Sequence, residues 1–396
     1  MQTPTFTNGN DVLFLYPLAD SYTVNFLGGD DQLFVYWDDG PSGLPLKYTV
    51  NAHMGLGNDS IDLSTGLCTI YGDAGNDRFG IYGSEVRATL YGGDGADSFT
   101  IFGVTALVAN GDAGDDQFAF TGDARAVLLH GGVGNDVFSA NNKLVTGNIY
   151  GDAGNDSFLN FANATGGPQL RGGIGDDIYR YYAGTSASFV ESAGEGVDLV
   201  QVARGVSYTL GTNIENLSVL SFGGSTAAAA TLNGNELGNT IQANSNTDTI
   251  DGGAGNDRLF GGGGNDTLIG GAGNDALKGD VGTDTLLGGL GADTFAYNDG
   301  EFGGLSAPTA ERIADFSHAE GDRIDVSLVD ANSALAGDQT FAFLGTGAFS
   351  GTAGQLRYQQ ISGNTYVQGD LNGDGAADFW IRLDGLHNVV STDFIL

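Results

Sequence analysis

Aspartate recurs at a fixed offset from glycine in residues 252–296, in a pattern that suits the binding of a hard cation. The consecutive nonapeptides are GGAGNDRLF, GGGGNDTLI, GGAGNDALK, GDVGTDTLL and GGLGADTFA. They follow Gly-Gly-x-Gly-x-Asp-x-U-x, where U is a large apolar residue. Calcium takes about six to eight oxygen ligands, and glycine-rich turns expose main-chain carbonyls to which aspartate adds a carboxylate. The pattern therefore predicts calcium ions held between stacked turns.

The same unit recurs upstream at a spacing of roughly twenty residues, which corresponds to about two nonapeptides. These copies begin at Gly72, Gly92, Gly111, Gly131, Gly151 and Gly172. Because two nonapeptides make one coil of a β-roll, this spacing predicts one motif turn per coil. Weaker copies surround Asp11, Asp31, Asp59 and Asp198.

The predicted metal ligands are the aspartates at the sixth position of the motif. Along one edge of the coils they are Asp59, Asp77, Asp97, Asp116, Asp136, Asp156, Asp177, Asp198, Asp257, Asp275 and Asp293. Along the opposite edge they are Asp248, Asp266 and Asp284. We expect roughly ten Ca²⁺ ions. The alternative interpretation is a solvated acidic edge with glycine needed only for the turns. Asn216 and Asn239 stand where aspartate is expected, and we expect no metal there because an amide brings no charge.

A second oxygen-rich segment follows near the C-terminus. Its candidate ligands are Asp370, Asn372, Asp374 and Asp378, which have the spacing of a calcium loop. Position twelve of that loop is Ile381, where an EF-hand requires a bidentate glutamate. The segment is either a short calcium site or a plain Asp/Asn/Gly turn between strands.

Two apolar ranks accompany the motif and define the fold that must position it. Two residues after each aspartate stand Phe79, Phe99, Phe118, Phe138, Phe158 and Tyr179, which we expect to stack in the core. A second rank precedes each motif at Ile70, Leu90, Leu129, Ile149 and Leu170. The predicted fold is all-β, a right-handed parallel β-helix or β-roll solenoid with a C-terminal β-rich secretion domain.

Four segments are predicted along the chain. Residues 1–190 form an N-terminal β-solenoid with one calcium-type turn per coil, and residues 191–233 continue it in degenerate form. Residues 234–296 are the nonapeptide β-roll, and residues 297–396 are the C-terminal β-rich domain, which carries the secretion signal.

The composition supports a cation-dependent fold and excludes several classes of partner. The 396 residues include 68 Gly, and 49 acids face 14 bases, giving a net charge of −35. Such an excess repels itself when compact, so folding should need counter-charge, and nucleic acid is not an expected partner. The single Cys68 excludes an internal disulfide. No apolar run is long enough to span a membrane, and Met1 to Thr5 show no cleavable signal peptide, so neither is expected.

From about residue 297 onward the chain resembles the C-terminal domain of serralysin-type RTX proteins, whose calcium-binding repeats the nonapeptides also match. The resemblance rests on residues 312–316 (RIADF), 321–327 (GDRIDVS), 349–358 (FSGTAGQLRY) and 363–370 (GNTYVQGD). It implies export by a type I secretion transporter that recognises the tail Asp393, Phe394, Ile395 and Leu396. The expected location is therefore extracellular, in association with the cell surface or free.

The catalytic part of the resemblance is missing. A serralysin needs a His-Glu-x-x-His helix, but none of the four histidines, His53, His130, His318 and His387, is followed by Glu. No Gly-x-Ser-x-Gly elbow occurs either, so we expect no enzyme. The function predicted is a calcium-folded structural component that assembles with itself at the cell surface or in a matrix. The alternative is a polysaccharide-acting enzyme or carbohydrate-binding module on a β-helix.

Overall fold

The computed structural model describes residues 6–15, 21–36, 49–161, 167–182, 187–224, 228–302 and 306–396. Within these residues there is no α-helix, and no helix is long and apolar enough to cross a membrane. The predicted absence of a signal peptide concerns residues 1–5, which lie outside the described residues. The chain divides into two compact units, residues 1–199 and residues 200–396.

The first unit is built from two parallel sheets that the chain visits alternately. One sheet contains β1 (Val12–Leu15), β3 (Gln32–Val35), β5 (Ser60–Leu63), β7 (Arg78–Tyr82), β9 (Ser98–Phe102), β11 (Gln117–Phe120), β13 (Val137–Ser139), β15 (Ser157–Leu159) and β17 (Ile178–Tyr181). The other contains β2 (Ser21–Asn25), β4 (Thr49–His53), β6 (Gly66–Ala74), β8 (Val86–Asp94), β10 (Ala106–Ala113), β12 (Ala124–Val133), β14 (Val145–Ala153), β16 (Gln169–Ile174) and β18 (Ser188–Phe189). Each strand pairs with the strand one coil away, for example β7 with β9 and β6 with β8.

The second unit also has two parallel sheets that the chain visits alternately, and antiparallel strand pairs appear near its C-terminus. One parallel sheet contains β19 (Leu199–Arg204, which begins at the division), β21 (Asn216–Gly224), β23 (Thr240–Gln242), β25 (Arg258–Phe260), β27 (Ala276–Lys278), β29 (Thr294–Asn298), β31 (Arg323–Leu328) and β36 (Phe394–Ile395). The other contains β20 (Tyr208–Thr209), β22 (Thr231–Asn233), β24 (Thr249–Ala254), β26 (Thr267–Ala272), β28 (Thr285–Leu290) and β30 (Glu311–Ile313).

The C-terminal part of the second unit adds four strands to this second sheet, with both parallel and antiparallel pairings. They are β32 (Ala342–Phe343), β33 (Gln355–Ile361), β34 (Asn364–Asp370) and β35 (Phe379–Leu383). Strand β34 runs antiparallel to β33 and β35, and β35 joins β30 in parallel. Short 3₁₀ helices span Ala307–Thr309 and Ser391–Asp393. The all-β, parallel-solenoid prediction is confirmed, whereas the four predicted segment boundaries stay a prediction.

Stacked side chains fill the core between the sheets. Phe79, Phe99, Phe118, Phe138, Phe158 and Tyr179 are buried. Their successive ring centroids lie 4.5 to 5.1 Å apart with nearly parallel planes. The second predicted rank is also buried, with Ala109 taking its place between Leu90 and Leu129. The predicted aromatic ladder is therefore present, and because each ring packs on its neighbours, a coil is stable only within the stack.

Candidate metal sites

The sixth-position aspartates line up along the coil edges as a hydrogen-bonded ladder. The backbone N–H of Asp77 donates to Oδ1 of Asp97, one coil further on, at 2.6 Å. The same bond links the successive pairs from Asp31 to Asp198 in the first unit at 2.6 to 2.9 Å. One oxygen of each ladder carboxylate is thus committed to holding the coil before it in register.

The second unit contains two such ladders on opposite edges. Along one edge the bonded series is Asn239, Asp257, Asp275, Asp293 and Asp322. Along the other edge it is Ala230, Asp248, Asp266, Asp284 and Glu311. The structure therefore brings together every predicted motif aspartate with its neighbours along its own edge. It also extends both ladders past residue 296 through Glu311 and Asp322, which sequence analysis missed because no nonapeptide surrounds them.

The other carboxylate oxygen of most ladder aspartates is buried without a hydrogen-bond partner. This is Oδ2 of Asp31, Asp59, Asp77, Asp97, Asp116, Asp136, Asp156, Asp177, Asp257, Asp266, Asp275, Asp284 and Asp293. A buried anionic oxygen without a partner is costly, so its repetition at one motif position points to a ligand that the chain alone does not supply. A hydrogen-bonded turn by itself explains Oδ1 but leaves Oδ2 unexplained.

Glycine at the first motif position gives this second oxygen its space. A Cβ at Gly72 would lie 2.2 Å from Oδ2 of Asp77 and 2.4 Å from the carbonyl oxygen of Gly92 in the next coil. At the fourth position Gly75 has φ +139°, and a Cβ there would lie 1.5 Å from the carbonyl oxygen of Gly57. Carboxylate and main-chain oxygens therefore converge where side chains are excluded. Calcium prefers such hard oxygen donors, so the residues fit Ca²⁺.

Burial and like charge raise the pKa values of these carboxylates. Burial raises the pKa of Asp116 to about 8, to which the charges of Asp97 and Asp136 contribute. Burial likewise raises the pKa to about 8 at Asp177 and Asp266. It raises the pKa to about 7 at Asp59, Asp77 and Asp156 and to about 6 at Asp97, Asp136, Asp257, Asp284 and Asp293. Ionising the whole row at neutral pH therefore needs counter-charge, which a dication supplies.

A second ladder at the fifth motif position runs in the opposite sense, and sequence analysis missed it. Oδ1 of Asn58 accepts the backbone N–H of Asn76 at 2.8 Å, and Oδ1 of Asn76 accepts that of Ala96 at 2.8 Å. Oδ1 of Asn256 makes the same bond to Asn274 at 2.7 Å. The frequent Asn at position five of the motif was the available signal. This exposed ladder explains the Asn without a metal.

The register of the second unit corrects one prediction. In the coil of Asn239, the N–H of Arg258 donates to the carbonyl oxygen of the ladder residue Asn239. One coil earlier, the equivalent bond runs from the N–H of Thr240 to the carbonyl oxygen of Glu215, while Asn216 pairs with Thr240 in the sheet. Glu215, not Asn216, therefore takes the aspartate position of that coil, because the preceding turn is one residue out of the expected frame. Asn239 does lie in the ladder, and its amide donates to the carbonyl of Ile214 and accepts from the N–H of Asn235.

The C-terminal candidate loop is held by its own backbone. Asp370 is buried, with Oδ1 accepting the N–H of Gly373 at 2.7 Å and Oδ2 that of Gly375 at 3.0 Å. Oδ2 of Asp378 accepts the N–H of Leu371 at 2.6 Å, and Oδ1 accepts from the Asn372 amide. Oδ1 of Asp374 accepts the N–H of Ala376. These bonds hold the four residues in a hydrogen-bonded turn, and the choice between a short calcium site and a plain turn stays a prediction.

The tail that resembles a secretion signal is folded into the second unit. Asp393 is buried, and its Oδ2 accepts the N–H of Val390 at 2.9 Å while Oδ1 contacts Nδ1 of His318. Phe394 is buried and pairs with Ile324 through β36 and β31. In the folded state, Phe394 and Ile395 of the predicted secretion signal lie in strand β36, and Asp393 is buried.

Two family models match parts of the chain. Residues 243–396 match the model described as Peptidase M10 serralysin C terminal, and residues 55–79 match the RTX calcium-binding nonapeptide repeat. The chain carries RTX calcium-binding repeats and a serralysin-type C-terminal domain. The RTX match falls on the coils of Asp59 and Asp77, and the serralysin match includes both ladders of the second unit from Asp248 onward. Neither match covers a protease domain.

Comparisons with whole proteins add little to these matches. No curated protein matches the chain. Among solved structures, the AlgE6R3 subunit from the Azotobacter vinelandii mannuronan C5-epimerase, a solution structure, is 29% identical. That match covers 37% of this chain and 76% of the epimerase subunit, with a TM-score of 0.27. A TM-score this low carries no argument about fold or function.

Proposed function

We propose that the protein is a secreted scaffold that folds on binding calcium outside the cell and then assembles with itself at a cell surface or in a matrix. The observation that carries the calcium part is the row of buried, unpartnered Oδ2 atoms facing main-chain carbonyls along the RTX edges. The serralysin-type domain supports export through a type I transporter by way of the tail Asp393 to Leu396. Cytosolic calcium is too low to fill weak sites, whereas extracellular calcium is high enough.

Two features support assembly once the ions are bound. Roughly ten dications would offset about twenty of the excess negative charges, which lowers the repulsion between chains. In the first unit, β1 is hydrogen-bonded to β3 alone among the described strands. Val12 and Phe14 on β1 are about half exposed. An edge strand with free backbone groups and apolar side chains invites another chain.

Sedimentation and electron microscopy over a calcium titration test the assembly proposal. We expect monomers at calcium levels that just complete folding, and sheets or filaments at millimolar calcium that dissolve in chelator. A Phe14→Lys variant, which charges the free edge but leaves every ladder aspartate in place, should fold and remain monomeric. Monodisperse wild-type protein at all concentrations and calcium levels would reject the structural role.

A second candidate, carbohydrate binding, rests on a column of rings along the outer face of the first unit. His53, Tyr71 and Tyr91 stack with centroids 4.3 and 4.8 Å apart, and Nδ1 of His53 lies 3.1 Å from Oδ1 of Asp73. The rings cover one another's faces, so a sugar would meet their edges and the carboxylates between them. That arrangement suits the hydroxyls of a neutral polymer better than uronates. Calorimetry with neutral and uronate oligosaccharides, and with a Tyr71→Ala variant, tests this candidate.

A further inference from the structure

The last coil of the first unit contains a carboxylate that the calcium motif does not provide. Strand β18 ends at Phe189, and after Val190 the chain leaves the sheet with the side chain of Glu191 turned inward and buried. Oε1 of Glu191 accepts the N–H of Gly172 at 3.0 Å and the hydroxyl hydrogen of Tyr179. Glu191 therefore reaches the glycine that begins the preceding motif turn.

Glu191 takes the place that a main-chain oxygen holds in the other coils. At Gly72, Gly92, Gly111, Gly131 and Gly151, a Cβ would meet Oδ2 of the same coil's aspartate and, at 2.4 to 2.6 Å, the carbonyl oxygen of the next coil's glycine. At Gly172 it would meet Oδ2 of Asp177 at 1.8 Å and Oε1 of Glu191 at 2.6 Å. A charged oxygen has replaced a neutral one at the equivalent point.

Three carboxylates meet there as a consequence. Asp177, Glu191 and Asp198 are all buried, and one oxygen from each lies within 4.8 Å of the other two. Within the described part of the chain, this is the only such group of three or more potential metal-binding side chains. Independently of that cluster, Oδ2 of Asp177 is buried without a hydrogen-bond partner and points to the same place.

We propose that Asp177, Glu191 and Asp198 form a three-carboxylate site for a hard cation, which ends the ladder of the first unit and binds its ion more tightly than the two-coil sites before it. The inference rests on the calcium chemistry of the proposed function but not on self-assembly. Affinity for hard cations rises with the number of charged oxygens around the ion. A third carboxylate also favours a trivalent ion over a divalent one, since it leaves the site with a net negative charge when a dication is bound.

Terbium luminescence on the full, calcium-loaded chain tests this site while the protein stays folded. Less than one equivalent of Tb³⁺ should displace calcium first from the three-carboxylate site. Tyr179, whose hydroxyl touches Glu191, should then sensitise the emission on excitation of tyrosine. Tyr179→Phe should lower this emission several-fold while emission excited directly at the ion is unchanged. Undiminished tyrosine-sensitised emission from Tyr179→Phe would overturn the site.

The affinity of the site for Tb³⁺ provides a second test. Glu191→Gln should require on the order of tenfold more Tb³⁺ for half-maximal emission, because one ligand charge is lost. Glu195→Gln is the matched control: it removes the same charge four residues further on, where the carboxylate accepts the N–H of Ser192. Equal affinity in Glu191→Gln and wild type, or equal losses in both variants, contradicts the proposal. If Glu191→Gln does not fold in saturating calcium, the Tyr179→Phe comparison decides, since that variant keeps all three carboxylates.

Discussion

The backbone N–H of Asp116 donates to Oδ1 of Asp136 at 2.7 Å, while Oδ2 of Asp116 stays buried without a partner. Most ladder aspartates divide their two oxygens in this way, with Oδ1 in a hydrogen bond and Oδ2 buried without a partner. Oδ1 fixes the register of adjacent coils, and we propose that Oδ2 binds a cation. Substitutions can separate these tasks, because asparagine keeps the accepting oxygen and removes the charge.

Asp116→Asn should weaken calcium-dependent folding without breaking the ladder. The amide oxygen can still accept the N–H of Asp97, but an NH₂ group then faces the carbonyls where calcium is expected. We predict a folding midpoint shifted to higher calcium on the order of threefold to tenfold, with one fewer ion bound. Circular dichroism and calorimetry measure the two quantities. Asp115→Asn is the control: Oδ1 of the exposed Asp115 accepts the N–H of Asn135 in the fifth-position ladder, where other coils already carry Asn. Equal shifts in both variants would refute the division of roles.

Gly111→Ala should damage a site by crowding its carboxylate. A Cβ at Gly111 would lie 2.0 Å from Oδ2 of Asp116 and 2.4 Å from the carbonyl oxygen of Gly131. The cost should be about 1 to 3 kcal/mol of unfolding free energy in saturating calcium, as for other overpacked positions. Gly9→Ala, where the nearest atom would be 3.7 Å away, should be close to neutral. Denaturant unfolding compares the two, and similar stabilities would argue against the tight packing at the motif glycine.

Without calcium, acid should favour the folded chain. The pKa values of Asp59, Asp77 and Asp116 are raised in the fold to about 7, 7 and 8 from 3.8, chiefly by burial. The folded state then binds more protons than the unfolded state. Metal-free stability is therefore greatest below about pH 4 and is lost as the pH rises through roughly 6 to 8.

Calcium should reverse this dependence, because protons compete with the ion for the same carboxylates. Circular dichroism at pH 5 and pH 8, on protein depleted of calcium and on protein with millimolar calcium, provides the comparison. We expect more β-structure at pH 5 than at pH 8 in the depleted sample. The opposite order in that sample contradicts the pKa argument.

Export should depend on the tail while the tail is unfolded. Asp393→Lys, or deletion of Phe394 to Leu396, should leave the protein inside the producing cell. His318→Gln is the control, because His318 is distant from Asp393 in the sequence and contacts it only in the folded state. It should be exported normally even if the folded tail is loosened. Normal amounts of Asp393→Lys in the medium would show that the secretion signal lies elsewhere in the chain.

Much of the fold and of the site follows from periodicity in the sequence. The fixed offset between glycine, Asp77 and Phe79 predicts the turn, the ladder carboxylate and the core ring together. In a parallel solenoid, residues at the same motif position in successive coils lie on top of one another. What the sequence does not reveal depends on the alignment of one coil with the next. The fifth-position ladder that includes Asn58 depends on that register. So does the presence of Glu215, instead of Asn216, at the aspartate position of its coil. Glu191 lies outside the motif, and only the departure of the chain after β18 turns it toward Asp177.

Far-ultraviolet circular dichroism of the full chain at neutral pH, with calcium removed and then restored, tests the central claim most directly. With the ladder carboxylates buried and no counter-charge, we predict a largely disordered chain in chelator. It should gain β-structure cooperatively as calcium reaches roughly 10⁻⁴ to 10⁻³ M. The same β-content with and without calcium would contradict the claim that calcium folds this protein.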